Sequence, residues 1–135
     1  MSFTLSILVW SGPAKKDFKK TRHAGLFFQL DTVYAPRGVL VHATSINNVP
    51  RFVVVKESYD PKKSITLAGQ SSVGHFTTVS MDAMASEVEG TPVKNDDEEW
   101  NCQNWVGEAL ERLVARGWLT AQTRSDALGD TCHDG

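Results

Sequence analysis

One cysteine and two histidines of this chain have the types and positions that thiol chemistry requires. Cys102 follows the polar segment 95–101 and opens a stretch whose apolar residues have helical spacing. A cysteine in the first turn of a helix lies near the positive end of the helix dipole and near unpaired backbone N–H groups, and both favour the thiolate. Upstream, His23 and His42 each belong to an apolar segment. The sequence therefore indicates nucleophilic catalysis by a cysteine with a histidine base.

These residue types suggest roles for the two histidines and for the neighbours of the cysteine. His23 opens one predicted strand and His42 lies late in the next, so an antiparallel hairpin can bring them to the same end of a sheet. One histidine would then contact the thiol at about 3–4 Å while the other orients it. Backbone N–H groups of the first helical turn would form part of an oxyanion hole, and Asn101 or Gln103 could add a donor. Trp100 could line a pocket beside the thiol.

The same residues also admit a purely structural interpretation. A free cysteine on an apolar helix face is commonly a core residue, and a histidine in a strand is commonly satisfied by one local hydrogen bond. The acidic residues 96–99 would raise the pKa of the Cys102 thiol if their side chains point at it. Spacing alone leaves an enzyme and a binding module open.

Length and composition limit the class of protein. A chain of 135 residues forms one domain that buries roughly two-thirds of its unfolded surface. Its 41% hydrophobic and 22% charged residues are typical of a soluble globular protein. A net charge of −2 lacks the basic excess of a general nucleic-acid binder. The two cysteines, Cys102 and Cys132, are poorly placed for a stabilising disulfide, so we expect a reducing compartment.

Targeting signals and metal motifs are not evident in the sequence. No stretch approaches the roughly 20 apolar residues of a membrane span, and the first ten residues lack the basic region of a signal peptide. We therefore expect a cytoplasmic protein without a stable membrane anchor. Cys132 and His133 have no second ligand pair at zinc-site spacing, so we expect neither a metal nor another cofactor. The oligomeric state stays open.

Periodicity predicts strands in the first half of the chain. Apolar and polar residues alternate over 3–9, which is typical of a half-buried strand. Segments 24–30 and 38–44 are apolar and are joined by a turn that contains Pro36 and Gly38, so they form a predicted hairpin. Three further strands are predicted over 52–55, 65–68 and 76–79.

Two helices are predicted in the second half. Ser80 and Gly90 have the types of an N-cap and a C-terminal residue for a helix over 81–88. A second helix is predicted after Asn101, a good N-cap, with Gly117 as its C′ residue, and its apolar face packs on the sheet with Cys102 at the N-terminal edge. Residues 120–135 are polar and are expected to form a loosely ordered tail. The predicted fold is a single α+β domain, 1–135, in which an antiparallel sheet packs on the cysteine helix.

Three short blocks of sequence, in this order, resemble one enzyme superfamily. The blocks are Arg22–Phe28 (RHAGLFF), Gly38–Ala43 (GVLVHA) and Asn101–Val106 (NCQNWV). They are similar to blocks of the permuted papain-like enzymes, namely the lecithin:retinol acyltransferase family, the Ras-like suppressor phospholipase/acyltransferases and their NlpC-type relatives. Within that group the chain most resembles fungal proteins of unknown function that share a His…Asn-Cys-Gln-x-Trp pattern.

The resemblance implies a circularly permuted papain-like fold and a set of roles. By position, the nucleophile would be Cys102, the general base His23, and the residue that polarises the base His42. The implied activity is a hydrolase or acyltransferase that forms a thioester and acts on a small acyl, ester or amide substrate or on a peptide. Gln103 and Asn104 stand where the family has Glu-His, and no C-terminal hydrophobic anchor follows, so lipid specificity is not implied. The alternatives are a peptidase or isopeptidase of this fold and an inactive binding module.

Overall fold

The structure, a computed structural model, describes residues 2–10, 23–31, 38–44, 52–61, 67–93 and 102–132. Within these ranges the side chains of residues 44, 52, 102, 103 and 130–132 are not described. The described residues form an α+β fold in which three helices accompany one antiparallel sheet. The α+β class and the antiparallel sheet predicted from the sequence are confirmed.

The sheet contains five strands among the described residues. They are β1 (Phe3–Trp10), β2 (His23–Leu30), β3 (Gly38–Thr44), β4 (Phe52–Tyr59) and β5 (Leu67–Phe76). Their order across the sheet is β4-β3-β2-β1-β5, and every neighbouring pair is antiparallel. The hairpin predicted from segments 24–30 and 38–44 is present as β2 and β3, with Leu26 opposite Val41 and Phe28 opposite Val39.

The helices follow the strands in the chain, and helices were predicted in the regions of the first two. They are α1 (Met81–Glu89), α2 (Cys102–Ala115) and α3 (Ala121–Cys132). Ser80 caps α1, since its side-chain oxygen accepts a hydrogen bond from the Ala83 amide, and Gly90 follows its last residue. Beyond α2, Gly117 has a φ of 79°, the left-handed conformation that glycine adopts without steric cost.

The main core lies between the sheet and the helices. It contains the odd-numbered residues of β1, the even-numbered residues of β2 and the buried face of α2. The largest fully buried members are Trp105, Phe3, Phe28, Leu5, Ile7, Leu26, Met84, Leu110 and Leu113. This arrangement follows from period-two alternation in the strands and helical spacing in α2, both of which place apolar side chains on one face.

Three segments differ from the prediction. The short strands predicted over 65–68 and 76–79 are replaced by one ten-residue edge strand, β5, which pairs with β1 along its length. The strand predicted over 52–55 continues to Tyr59 as β4. The loose tail expected over 120–135 is wrong for residues 121–132, which form α3. Tertiary contacts explain α3, because Ala127 is buried and Arg124 donates a hydrogen bond to the Gly107 carbonyl.

None of the helices in the described ranges has the length and apolar character that crossing a membrane requires.

Candidate functional site

The two faces of the sheet carry different residues, and both histidines lie on the face away from the helices, called here the outer face. Neighbours across the β1–β2 ladder share a face, and Trp10 lies opposite His23. Alternation along β3 places His42 on the same face as Leu40. A second, smaller apolar cluster covers this face, called here the outer cluster; its members are Leu8, Trp10, Phe27 and Leu40, with Tyr59 and Leu67 packed against them.

His23 and His42 contact each other directly. His23 Nε2 and His42 Nδ1 are 2.6 Å apart, a hydrogen-bond distance, and the rings meet edge to face with centroids 4.7 Å apart. His42 is only 6% exposed, and His23 is half-buried. The structure therefore brings together two of the three residues that the sequence analysis selected. We call these two residues the histidine pair.

Gly25 makes room for the histidine pair. It lies on β2 between His23 and Phe27, on the outer face, and a Cβ placed there would come within 2.8 Å of His42 Cβ. A side chain at this position would therefore collide with His42, and glycine avoids the collision. The glycine in the resembling block therefore has a steric role next to the site.

Trp10 covers both rings of the histidine pair. Its ring centroid is 5.1 Å from that of His23, with the planes inclined by 30°, and 6.3 Å from that of His42. The indole N–H donates a hydrogen bond of 3.2 Å to the Tyr59 hydroxyl. Trp10 is itself only 8% exposed. The hydrogen bond between the histidines is thus shielded by aromatic surface.

Burial holds both histidines in their neutral form. Desolvation, followed by the positive charge of Lys56 on β4, lowers the pKa of His23 to about 4. For His42, desolvation comes first, then His23 and then Lys56, and together they lower its pKa to about 3. At neutral pH each ring therefore has one N–H and one lone pair, so one of them donates to the other.

The geometry determines which ring nitrogens of the histidine pair carry protons. Because Nε2 of His23 bonds His42, Nδ1 is the nitrogen through which His23 would accept a proton. A protonated His23 must donate through Nε2, so His42 must accept at Nδ1 and carry its own proton on Nε2. His42 Nε2 is buried and finds no hydrogen-bond partner among the described residues. The pair can therefore stabilise a charge on His23 only while His42 stays neutral.

The free energy of unfolding should depend on pH because of the histidine pair. Both pKa values are lower in the folded state than the ordinary 6.5, so the unfolded chain binds more protons below that value. Stability is then complete above pH 6.5 and falls as the pH drops toward 4, by about 1.4 kcal/mol per pH unit for each proton. Urea unfolding of the wild type and of His42→Gln at several pH values measures this. An equally steep acid dependence in both proteins would contradict it.

A Gly25→Ala substitution should destabilise the protein and separate the histidine pair. The new methyl group would meet His42 Cβ, which cannot rotate away, so we expect a loss of about 1–3 kcal/mol. Gly69→Ala is the matched control, since Gly69 is also a strand glycine and a Cβ there meets nothing within 4 Å. Thermal unfolding measures both variants. An equal change in stability for Gly25→Ala and Gly69→Ala would show that Gly25 has no steric role.

The remaining predicted residues are described less completely. The backbone of α2 starts at Cys102, but the side chains of Cys102 and Gln103 are not described. Asn101, Trp100 and the acidic residues 96–99 lie outside the described ranges. In the ranges that are described, no three or more His, Cys, Asp or Glu side chains form a group that could hold a metal ion.

Contacts of α1 give the direction of α2 relative to α1. α1 begins beside Leu30, because a cleft of about 460 Å³ is lined by Leu30 and residues 77–82. Glu87, in the last turn of α1, accepts a hydrogen bond from Arg112, late in α2. Thr91, just beyond α1, accepts one at its carbonyl from Trp105, early in α2. α2 therefore runs antiparallel to α1.

Sequence reasoning missed three residues of the site, Trp10, Tyr59 and Lys56. Trp10 is the last residue of β1, far from either histidine in sequence, and only the β1–β2 register brings it to them. Tyr59 and Lys56 belong to the part of β4 that was not predicted as strand. The alternation in β1 could have indicated that Trp10 faces away from Phe3, Leu5 and Ile7. That alternation could not have shown which residues Trp10 contacts.

A second polar cluster lies at the opposite end of the sheet. Ser2 and His75 both bond the carboxylate of Asp31, and these bonds, that of Ser2 first, lower the pKa of Asp31. Because serine and histidine each bond the carboxylate rather than each other, this cluster lacks the order of a nucleophile, base and orienting acid. It ties the start of β1 to the ends of β2 and β5.

Fold and site together define a two-layer α+β protein with a buried histidine pair on the outer face of its sheet. The chain belongs to DUF6540, a family of unknown function whose model matches residues 14–120. No curated protein matches the chain, and no solved structure does. The family match includes both histidines, Cys102 and Trp10's partner Tyr59.

Proposed function

We propose that this protein is a thiol-dependent hydrolase or acyltransferase that forms a thioester on Cys102. In this proposal His23 is the general base and then the general acid, and His42 orients His23. The observation that carries it is the hydrogen bond between His23 Nε2 and His42 Nδ1, buried beneath Trp10. Such a bond fixes one imidazole by a second polar group, as a base that serves a nucleophile requires.

The proposed reaction has two halves. In the first, the Cys102 proton passes to Nδ1 of His23 while the sulfur attacks the substrate carbonyl. The protonated His23 then gives that proton to the leaving group, and a thioester forms. In the second half His23 takes a proton from water, an alcohol or an amine, which attacks the thioester carbonyl. The C–S bond then breaks, His23 returns the proton to the sulfur, and the acyl group leaves on the acceptor. Water as acceptor gives a hydrolase, and an alcohol or amine gives a transferase.

The lowered pKa of His23 suits the first step and limits it. A neutral imidazole is the form that accepts a proton, and His23 is neutral down to about pH 4. Its low basicity makes proton transfer from a thiol costly unless the thiolate stays close, where opposite charge favours the protonated ring. The first turn of α2 would add the helix dipole to this stabilisation. The proposal thus requires direct contact between Cys102 and His23.

Such a contact limits where α2 can begin. His23 is the first residue of β2, so the proposal requires the N-terminus of α2 to lie at that end of the strand. The histidines lie on the outer face, whereas α2 packs on the inner face, so the thiol must reach His23 around the end of the sheet. A circularly permuted papain-like arrangement, with Cys102 at the start of the helix, is the form of the fold that we propose.

The other predicted residues complete the proposal. Backbone N–H groups at the start of α2 would bind the oxyanion, with Gln103 or Asn101 as an added donor and Trp100 beside the substrate. Substrates would be small acyl, ester or amide compounds or peptides. A peptidase or isopeptidase would use the same residues. A nucleophilic thiol must stay reduced, so we propose the cytoplasm as the location of the protein.

A binding module without catalysis is the second candidate. The observation that favours it is the position of both histidines on the face opposite to the packing face of α2. A purely structural pair of histidines would also be neutral and buried. An experimental structure with Cys102 Sγ more than about 6 Å from both histidines would favour this candidate over an enzyme.

Intact-mass spectrometry tests the proposed function. The wild type is incubated with a panel of activated esters, thioesters and peptide esters, and we expect a mass increase equal to the acyl group on Cys102. Cys102→Ser and Cys132→Ser are matched variants of the two cysteines in the chain. The first should lose the adduct, and the second should retain it. Labelling of both cysteines at equal rates would contradict a specific nucleophile.

A further inference from the structure

A bulge in β4 turns Tyr59 onto the outer face. Leu40 lies opposite Lys56 and Gly38 lies opposite Tyr59, so two steps along β3 correspond to three steps along β4. Paired residues share a face, which means that the extra residue moves Tyr59 to the face of Leu40 and His42. Without the bulge, residue 58 would lie there, and the tyrosine would point to the other side.

The bulge depends on an unusual backbone conformation. Ser58 has a φ of 58°, in the left-handed region, and it is the one non-glycine residue with a positive φ in the part of the chain that the structure describes. Residues other than glycine, asparagine and aspartate rarely adopt this left-handed conformation. Such conformations persist where surrounding contacts require them and often adjoin functional sites.

A chain of contacts runs from this bulge to the histidine pair. The Tyr59 hydroxyl accepts the hydrogen bond of the Trp10 indole N–H, and the Tyr59 ring meets Trp10 and Phe27 edge to face at 6.3 and 6.2 Å. Trp10 in turn packs on the His23 ring, with the ring centroids 5.1 Å apart and the planes inclined by 30°. Each contact fixes the next ring, and the last ring fixed is that of the proposed base.

We propose that Trp10 and Tyr59 are positioning residues for the histidine pair, and that the bulge at Ser58 serves to present the Tyr59 hydroxyl to Trp10. The indole holds His23 in the orientation that bonds His42 and keeps water from that bond. This inference rests on the proposed function for its catalytic meaning. Its structural content, the control of His23 by Tyr59, can be tested without any activity.

The charges that act on the histidine pair are few among the described residues. On the face that carries the histidine pair, the residue of β1 beside the rings is Trp10, which has no charge, and β3 carries His42 itself. β4 contributes Lys56, which shares a face with Leu40 and acts on both histidines. Desolvation is nevertheless the first cause of the lowered pKa of His23. A displaced Trp10 should therefore raise that pKa, because it admits water to the ring.

An NMR titration of the histidine ring nitrogens tests the inference in the full chain. His23 is assigned by comparison with His23→Gln. In Tyr59→Phe, which keeps the ring and loses the hydroxyl, we expect the pKa of His23 to rise from about 4 by about one unit or more. Trp10→Phe should raise it in the same direction. Trp118→Phe is the matched control, since Trp118 packs between Arg116 and the main core, away from the histidines.

Two substitutions of Ser58 separate positioning from general stability. Ser58→Gly accepts a positive φ freely, so it should preserve the bulge and leave the His23 titration as in the wild type. Ser58→Val disfavours that conformation and should shift the titration as Tyr59→Phe does. Circular dichroism confirms that each variant is folded before titration.

The outcomes distinguish the inference from the proposed function. A His23 titration in Tyr59→Phe that matches the wild type overturns the inference, whatever Cys102 does. Likewise, a change in the His23 titration of Ser58→Gly as large as that of Ser58→Val would show that the bulge does not position His23. A shifted titration with no acyl adduct on Cys102 upholds the positioning of His23 and overturns the thiol enzyme instead.

Discussion

A His23→Gln substitution is expected to lower the rate of Cys102 acylation by about 10²–10⁴-fold. Glutamine keeps a polar side chain of similar reach but accepts no proton at neutral pH. The His42 Nδ1 atom loses its partner, while Trp10 keeps a polar neighbour beneath its ring. The rate is measured by stopped-flow release of p-nitrophenol from p-nitrophenyl acetate, together with the mass of the acylated protein.

The control for this prediction is His75→Gln. His75 is an exposed histidine that bonds Asp31 at the opposite end of the sheet, so its loss should leave the acylation rate within about twofold. The acylation rate of His42→Gln should lie between those of His23→Gln and His75→Gln, because this substitution removes the residue proposed to orient the base and leaves the proposed base itself. An equal rate for His23→Gln and His75→Gln would show that His23 is not the base.

The largest effect on stability is expected from Trp105→Ala. Trp105 is fully buried in the first turns of α2, and its indole N–H donates a hydrogen bond of 3.0 Å to the carbonyl of Thr91. Removing the side chain leaves a large cavity between helix and sheet and should cost about 3–5 kcal/mol. That is a large part of the about 5–15 kcal/mol that stabilises a typical domain. Urea unfolding measures the loss.

Trp105→Phe divides this effect into two parts. Phenylalanine retains much of the apolar contact but leaves the Thr91 carbonyl without its donor, which should cost about 1–3 kcal/mol. Trp118→Phe, on a half-buried tryptophan, should cost less than either. Because Trp105 anchors α2 near its N-terminus, its variants should also slow acylation of Cys102 under conditions where they are folded. A cost below about 1 kcal/mol for Trp105→Ala would contradict the packing described.

The regular elements could be predicted because each depends on a local pattern. β1 to β3 alternate or carry continuous apolar runs, and α1 and α2 have apolar stripes with capping residues at Ser80, Gly90 and Gly117. Local patterns of this kind decide which face is buried before any tertiary contact forms. Their positions along the chain were therefore accessible from sequence.

β5 and α3 were mispredicted because tertiary contacts determine them. β5 contains two glycines, Gly69 and Gly74, which have low strand propensity, and its pairing with β1 compensates for them. α3 has few apolar residues, yet Ala127 and Leu128 pack on the core and Arg124 bonds α2. Propensity is a weak guide where a segment completes a core formed by others.

For the site, residue types were predictable and their arrangement was only partly so. Sequence order indicated that His23 and His42 lie on neighbouring strands, and their contact confirms that they are close. It gave no sign of the Ser58 bulge, because serine is not a residue that signals a left-handed turn. Nor did it indicate that the histidines lie on the outer face of the sheet, away from the helices.

The reactivity of Cys102 as a function of pH tests the central claim most directly. The rate of iodoacetamide labelling is followed by mass spectrometry of the Cys132→Ser protein from about pH 5 to pH 9, with and without His23→Gln. We predict that at about pH 6 Cys102 is labelled faster than a free model thiol, whose pKa is about 8.5, and that His23→Gln abolishes this excess. Labelling that follows the model thiol across the range, unchanged by His23→Gln, would contradict a thiol activated by the histidine pair.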